Sequence, residues 1–442
     1  MIKKLCIILF LLPNIKLFAQ TVKTDVLVIG GTPSGVAAAI QCARSKVKTV
    51  LVPKRVKLEN SVDATRMLTI NADGNIPSGI WGEFQEHIND LYKNRGGRDT
   101  TIGVLLKFEK VTAETVLKKM TDTVKNLTVY LNSTFTSIKK DGDRWEVKVL
   151  LDGKKTIVKA SVIIDATETG EVAEKAGAKF REKFIPYEET LESKLYRTAI
   201  ATKAGGPGLA KNIHQAYWFV PVEAVLAGGV DNLLVTDKIL PVNASNDDLQ
   251  MQLELGQGAG TVAAYCAFFK TTTKHLNIRA IQGELLDFKG YLLPFVDVGN
   301  SDRNWRAIQQ VCATGLLGGI LHINIIDKTE SGFIFMPDAP VTTAEIKPVL
   351  TEIYTRAFLW FNKEKPGEKF TIENTLSLIS DYTLTEPLVL KSSVQKSWKT
   401  QYKFKADFDL KRPITRREFA VLANKYLNPF GRTVDLNGRL VN

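Results

Sequence analysis

Cysteine and histidine are scarce, with four of each in 442 residues. The cysteines stand at 6, 42, 266 and 312 with no CxxC and no CxxCH, which argues against zinc ribbons, c-type haem attachment and a disulfide scaffold. Past the N-terminus no run reaches about 18 uninterrupted apolar residues, which argues against an integral membrane protein. HExxH, a nucleophile elbow and a Ser-His-Asp spacing are all missing, so zinc-peptidase and serine-hydrolase chemistry have no residues to rest on. What is present is a chain that is 44% hydrophobic, 24% charged and 9% aromatic. That composition supports a large core, and at roughly 150 residues per domain it suggests two or three domains.

Residues 1–20 have the makeup of an export signal. Lys3 and Lys4 precede the apolar stretch Leu5 to Pro13, and Ala19 offers a small residue near a cleavage point. The expected location is therefore exported, periplasmic or secreted. Removing the segment takes three lysines off a net charge of +12, leaving +9. The remaining basic residues are scattered among acidic ones, as in Arg181-Glu-Lys-Phe184, without the basic stripe of a nucleic-acid binder. Cys42 and Cys266 fall on alanine-rich helical stretches and read as small packing residues.

The most informative chemistry follows at once. Asp25-Val-Leu-Val-Ile-Gly30 is a short apolar run suited to a doubly covered parallel strand. Gly30-Gly-Thr-Pro-Ser-Gly35 comes next, then a helix of small residues from Val36 to Arg44, then a second strand from Lys48 to Pro53. In such a unit the tight turn aims helix-start N–H groups at a pyrophosphate. Gly30 permits the turn and Gly35 permits close helix–strand packing. Thr32 stands where the fingerprint has its middle glycine. An acidic residue that would hold a ribose is replaced at the end of the second strand by Pro53, with Lys54 next.

Further along, Thr128 to Ile138, Trp145 to Leu151 and Thr156 to Ala160 alternate or are β-branched, with Asp141-Gly and Asp152-Gly turns between them, predicting a three-stranded antiparallel meander. An apolar strand from Val162 to Ile164, a glycine-containing turn and a helix from Val172 to Ala176 follow. Leu233 to Asp237 reads as another apolar strand. Gly256-Gln-Gly-Ala-Gly260 is expected at a helix start, facing an electron-rich ring or a phosphate. The fold class expected is α/β, a Rossmann-like dinucleotide-binding domain with an inserted β-meander and a mainly helical C-terminal module.

Gly30-Gly-Thr-Pro-Ser-Gly-Val-Ala-Ala-Ala39, Ser78-Gly-Ile-Trp-Gly-Glu-Phe84, Val162-Ile-Ile-Asp-Ala-Thr-Glu-Thr-Gly-Glu171 and Gly256-Gln-Gly-Ala-Gly260 stand in one order along the chain. Together they resemble the FAD-dependent oxidoreductases of the glutathione-reductase-like dinucleotide fold, in particular their exported bacterial branch. The resemblance covers about residues 22 to 290. It implies FAD held by Gly30, Gly31, Thr32, Pro33, Ser34 and Gly35, at Pro53 and Lys54, by Phe135 on the meander, by Ala166, Thr167 and Gly170 at the return to the flavin, by Asp237, and by Gly256, Gly258, Ala259 and Gly260. No metal is implied. The chain departs from the pattern at Pro53 and at Leu58-Glu-Asn-Ser61, where Glu59 and Asn60 replace paired glycines. The insertion at about 178–232, where a substrate would bind, is short. Two readings stand side by side: FAD bound with altered contacts, serving hydride transfer from a small polar, carbohydrate-like substrate, or a cofactor-less descendant acting as a non-enzymatic envelope or glycan-binding protein. His214, beside Gln215 and near Tyr217 and Trp218, is the one histidine named as a catalytic base. His87 reads as a surface partner of Glu83 and His322 as a core residue.

Residues 291–442 form the second expected unit, after a dinucleotide domain at 21–290. Pro340-Val-Thr-Thr-Ala-Glu-Ile346 and Pro413-Ile-Thr-Arg-Arg-Glu-Phe419 are two copies of one pattern, each a capping box opening an amphipathic helix. With Phe295-Val-Asp-Val298, a helix from Trp305 and Gly315-Leu-Leu-Gly-Gly319 ahead of the first copy, the order resembles an S-layer homology repeat. That resemblance implies a cell-envelope polymer as partner; the bland alternative is a helical cap packing on the first domain.

Overall fold

The computed structural model describes residues 20–53, 67–70, 76–93, 106–179, 193–203, 218–240, 249–322 and 332–441. Residues 1–19, Lys54, Glu59, Asn60 and His214 lie outside the described residues.

The strands, in chain order, are β1 (Gln20–Lys23), β2 (Val26–Ile29), β3 (Thr49–Val52), β4 (Met67–Ile70), β5 (Leu106–Glu109), β6 (Leu127–Val129), β7 (Ser133–Asp141), β8 (Arg144–Leu151), β9 (Lys154–Ala160), β10 (Val162–Asp165), β11 (Ala199–Lys203), β12 (Trp218–Pro221), β13 (Leu233–Val235), β14 (Ile320–His322) and β15 (Gly332–Ile334). The α-helices are α1 (Pro33–Arg44), α2 (Gly79–Lys93), α3 (Lys110–Asp122), α4 (Glu171–Lys175), α5 (Leu249–Phe268), α6 (Ile278–Asp287), α7 (Trp305–Cys312), α8 (Thr343–Ile353), α9 (Thr355–Glu364), α10 (Ile372–Thr383), α11 (Pro387–Thr400) and α12 (Arg416–Leu422).

The parallel sheet has the order β13-β10-β2-β3-β6, with β10, β3 and their outer neighbours all parallel to β2. Its strands are apolar on both faces because both faces are covered. Val26, Val28, Leu51 and Ile164 pack into the helical core with α1 and α5, while Leu27, Ile29, Val50, Val52 and Ile163 pack against the meander. The meander sheet has the order β1-β9-β8-β7. Two details differ from the sequence reading. The run from Thr128 to Ile138 is not one strand: Leu127–Val129 joins the parallel sheet, and the meander opens only at Ser133. Ahead of the run expected from Asp25, Gln20–Lys23 forms a further strand, β1, parallel to β9, and β2 opens at Val26. The local pattern of Thr128 to Ile138 allows either division, since it is rich in β-branched residues throughout, and only the partner strand decides.

The hydrophobic core runs from Val26 to Val434 without a break at the expected boundary near residue 290. Arg197, buried at the end of the first half, sends one guanidinium nitrogen to each carboxylate oxygen of Glu352 on α8, both at 2.9 Å. Lys194 adds a 2.7 Å contact to the same carboxylate.

The C-terminal helices close on a ring that two sequence copies alone would not form. Val341 N–H donates to Ile414 O, Ile414 N–H to Phe370 O, and Phe370 N–H to Val341 O, at 3.0, 2.9 and 2.9 Å. All three side chains are fully buried. Each is followed by a threonine that caps a helix: Thr342 accepts from Glu345 N–H, Thr371 from Asn374 N–H and Thr415 from Glu418 N–H. Lys369-Phe-Thr-Ile-Glu-Asn374 is therefore a third copy, disguised by Lys for Pro, Phe for a β-branched residue and Asn for Glu. The reciprocal capping box is formed at Thr371 and Thr415. In the first copy Glu345 instead pairs with Arg416.

Candidate functional site at the carboxyl end of the parallel sheet

In an open parallel sheet, ligands bind beyond the carboxyl ends of the strands, where the chain order reverses direction. Here that point lies between β2 and β10, and the glycine turn sits on it. Gly30 has φ +123°, and a side chain there would run into the Ala166 carbonyl and lie 2.9 Å from Thr167 N. Only glycine lets the end of β2 pass so close to the end of β10. Gly30 and Gly31 are half-buried, and every residue from Thr32 to Ala43 is buried. Thr32 caps α1, its hydroxyl accepting from Gly35 N–H at 3.2 Å, and Pro33 occupies the first turn where no donor is needed. Gly35 faces Gly30 O and Ala166 Cβ, the close helix–strand approach expected of it.

The third wall is Asp237, just after β13. Its carboxylate accepts from Thr32 at 2.9 Å, from Thr236 at 2.9 Å and from the Ser34 hydroxyl. Burial pushes its acid constant up to about 6 against the pull of these three hydroxyls, and the neighbouring carboxylate of Asp165 pushes the same way. Asp165 ends β10. It takes N–H bonds from Thr167 and Ala173 and the Thr167 hydroxyl, so it organises the turn into α4. Burial raises its acid constant too. Gly170, at φ 72°, is the residue before α4.

The structure thus brings Gly30, Gly31, Thr32, Pro33, Ser34, Gly35, Ala166 and Asp237 to one place, with Thr167 and Gly170 alongside. Gly256, Gly258, Ala259 and Gly260 belong elsewhere. They were expected at a helix start, but α5 begins at Leu249 and they fall in its middle, fully buried. A methyl carbon at Gly256 would lie 2.7 Å from Ser34 Cα, at Gly258 2.5 Å from Ile200 O, and at Gly260 2.6 Å from Ala38 O. Gly256 and Gly260 let α5 and α1 touch backbone to backbone, and Gly258 lets α5 approach Ile200 on β11. Phe135 is half-buried on β7 with the Lys175 ammonium 4.8 Å over its ring. Pro53 is buried, its carbonyl accepting from Ser133 N–H, and it offers nothing that could accept from a ribose.

Of the histidines, His87 is exposed and its expected partner Glu83 is instead held by Arg44, both oxygens at 2.7 Å. His322, expected in the core, is exposed on β14. The cysteines at 42, 266 and 312 are buried and free. Sequence reasoning missed Gln257. Its side chain accepts from Ile80 N–H at 3.1 Å and donates to Gln41 at 3.1 Å, tying α2, α5 and α1 together. A glutamine inside the small-residue stretch of each helix, Gln41 on α1 and Gln257 on α5, was the available signal.

The backbone cradle fits a dinucleotide: glycine at the crossing of β2 and β10, a capped helix start, and half-exposed Gly30 and Gly31 where a phosphate approaches. Among the described residues no helix is long and apolar enough to cross a membrane. No curated protein sequence matches the chain. Solved structures similar to part of it include p-nitrophenol 4-monooxygenase PnpA from Pseudomonas putida DLL-E4, at 16% identity over 36% of this chain and 44% of that one, TM-score 0.27. The flavin-dependent monooxygenase PieE in complex with FAD and substrate is similar at 16% identity, over 38% of this chain and 34% of that one, TM-score 0.28. Bacillithiol disulfide reductase Bdr from Staphylococcus aureus follows at 16% identity, over 33% and 38%, TM-score 0.23. The chain spans less than half the length of each. Residues 25–199, from the first parallel strand past the return at Ala166 to the start of β11, match the family described as FAD dependent oxidoreductase, whose cofactor is FAD.

Proposed function

We propose that the protein is an exported FAD-dependent oxidoreductase that takes a hydride from a small polar, carbohydrate-like substrate. The observation that carries the cofactor half of this reading is the crossing at Gly30 and Ala166, closed by Thr32, Ser34 and Asp237. Bound flavin would accept the hydride, while the protein supplies orientation and electrostatics. The residues of this chain hold the start of α1 at the switch point, exclude water from it with the buried run Thr32 to Ala43, and fix the neighbouring turn through Asp165. Export rests on the lysines and apolar stretch of residues 1–20, and the substrate class on the family resemblance. His214 is the proposed base.

We also propose that the C-terminal helices bind a cell-envelope polymer, a role supported by the third capped copy at Lys369 to Asn374, since binders of this kind use three repeats. In the cofactor-less reading this would be the protein's only activity.

Adding FAD to the purified protein decides between the readings. Binding to the folded state alone stabilises it by RT ln(1 + [L]/Kd), about 2.7 kcal/mol at 100-fold over Kd. The expected outcome is a yellow protein, or a melting temperature that climbs with FAD. A colourless protein whose melting ignores FAD sinks the oxidoreductase reading and leaves the envelope-binding one. With FAD bound, His214→Ala should slow flavin reduction while leaving the FAD titration unchanged.

A further inference from the structure

Far from the glycine turn, at the other end of α1, a surface hollow of about 380 Å³ lies across α5, with Ser45 and Lys46 after α1 on one side and Glu284 of α6 on the other. At 12 residues, α1 puts roughly 18 Å between this hollow and the start of the helix. Tyr265, Phe268 and Phe269 form its aromatic wall, with ring centroids 4.8 Å apart for Tyr265 and Phe269 and 5.1 Å for Phe268 and Phe269. Phe268 and Phe269 are 59% and 60% exposed, consecutive, and at a helix end. Covering the exposed part of each ring would take apolar surface out of water, which favours association. Adjacent exposed aromatics beside a hollow mark a contact surface rather than ordinary scattered apolar exposure.

The charges at the rim select the partner. Arg44 is committed to Glu83, and Asp287 to Arg306 at 2.5 Å. Lys46 and Glu284 form no ion pair among the described residues. The patch therefore carries an uncommitted cation on one flank, an uncommitted anion on the other, and both a protruding aromatic pair and a hollow between them. A surface that is its own complement in shape and sign is what an isologous two-fold contact requires. A two-fold axis through the aromatic wall sets Lys46 of one copy against Glu284 of the other, with Phe268 and Phe269 entering the partner's hollow. A different protein partner would not need both signs on one patch.

We propose that this chain forms a two-fold homodimer through the Phe268–Phe269 patch, leaving the glycine turn at the opposite end of α1 outside the contact. The dimer does not depend on the cofactor assignment, and neither does its test.

Sedimentation equilibrium of the purified chain, without FAD, measures it. The wild type should be dimeric, and Phe268→Asp monomeric with an unchanged circular dichroism spectrum. Lys46→Glu and Glu284→Lys should each weaken the dimer about tenfold, and the two together should restore it. These exposed charge changes keep the test valid if Phe268→Asp fails to fold. A monomer at every concentration overturns the proposal. So does a dimer that survives Phe268→Asp, or a charge-swapped double variant no tighter than the singles. An apolar dye bound by a wild-type monomer would assign the hollow to a small ligand instead and would overturn it too.

Discussion

Two seams of this molecule are built from opposite materials. Where α1 meets α5, the contact is glycine and alanine against backbone: Gly256 on Ser34, Gly260 on Ala38, with the Cys42 thiol 3.2 Å from Gly260 O. Where the C-terminal helices meet, the contact is aromatic: Phe370 packs edge-on to Phe419 and Trp360, and Trp398 to Phe404 and Phe408. The closest contacts of the first seam are to backbone atoms, which no side-chain rotation can move, so it fixes the start of α1 beside Ala166 and Asp237. The second is filled by large rings and anchored by three caps, so its parts can be replaced one at a time. A site that needs its backbone placed within a few tenths of an ångström is served by the first kind of seam. A scaffold that needs only to close is served by the second.

The largest expected effect comes from putting a methyl group into the rigid seam. Gly256→Ala places a carbon against the Ser34 backbone, which no rotamer change relieves, and should cost about 3 kcal/mol or more. A fall in the urea midpoint at unchanged slope would show it. A variant as stable as the wild type would mean that the two helices can part and that the contrast between the seams is false.

Next comes the charge that the rigid seam encloses. Asp237 has its acid constant raised from 3.8 to about 6, so the fold favours its protonated form. Its stabilising contribution is complete below about pH 4 and is lost as pH rises through 6. Above that the ionised carboxylate costs roughly 3 kcal/mol relative to a group whose constant is unshifted. Asp237→Asn, neutral at every pH, should therefore be the more stable protein at about pH 8 by on the order of 1–3 kcal/mol, the gap closing by about pH 4. Melting curves across that range measure it. A gap of the opposite sign at high pH would mean that the three hydroxyls outweigh burial.

The smallest effect belongs to the replaceable seam. Thr371→Ala removes one of three equivalent caps and should cost about 1 kcal/mol, with Thr342 and Thr415 still holding theirs. Chemical denaturation would reveal a loss near that size. A collapse of the whole C-terminal half would show that the ring at Val341, Phe370 and Ile414 is as unforgiving as the glycine seam.

The chain from Asp25 to Pro53 determined its own structure locally. An apolar run, Gly30, a threonine cap, Pro33 and a small-residue helix specify strand, turn and helix with nothing from elsewhere, and the meander follows from alternation and two Asp-Gly turns. The tertiary structure alone decided what those pieces meet. A glycine that opens a helix and a glycine that lets two helices touch look the same in sequence, so Gly256 to Gly260 read as a ligand loop until α5 was seen to begin at Leu249. Asp237 reaches Ser34 across 203 residues, and a hydrogen bond of that span leaves no local pattern. The third cap was hidden for a related reason: the ring demands backbone N–H and C=O groups and a buried apolar side chain, which Phe370 supplies as well as valine or isoleucine.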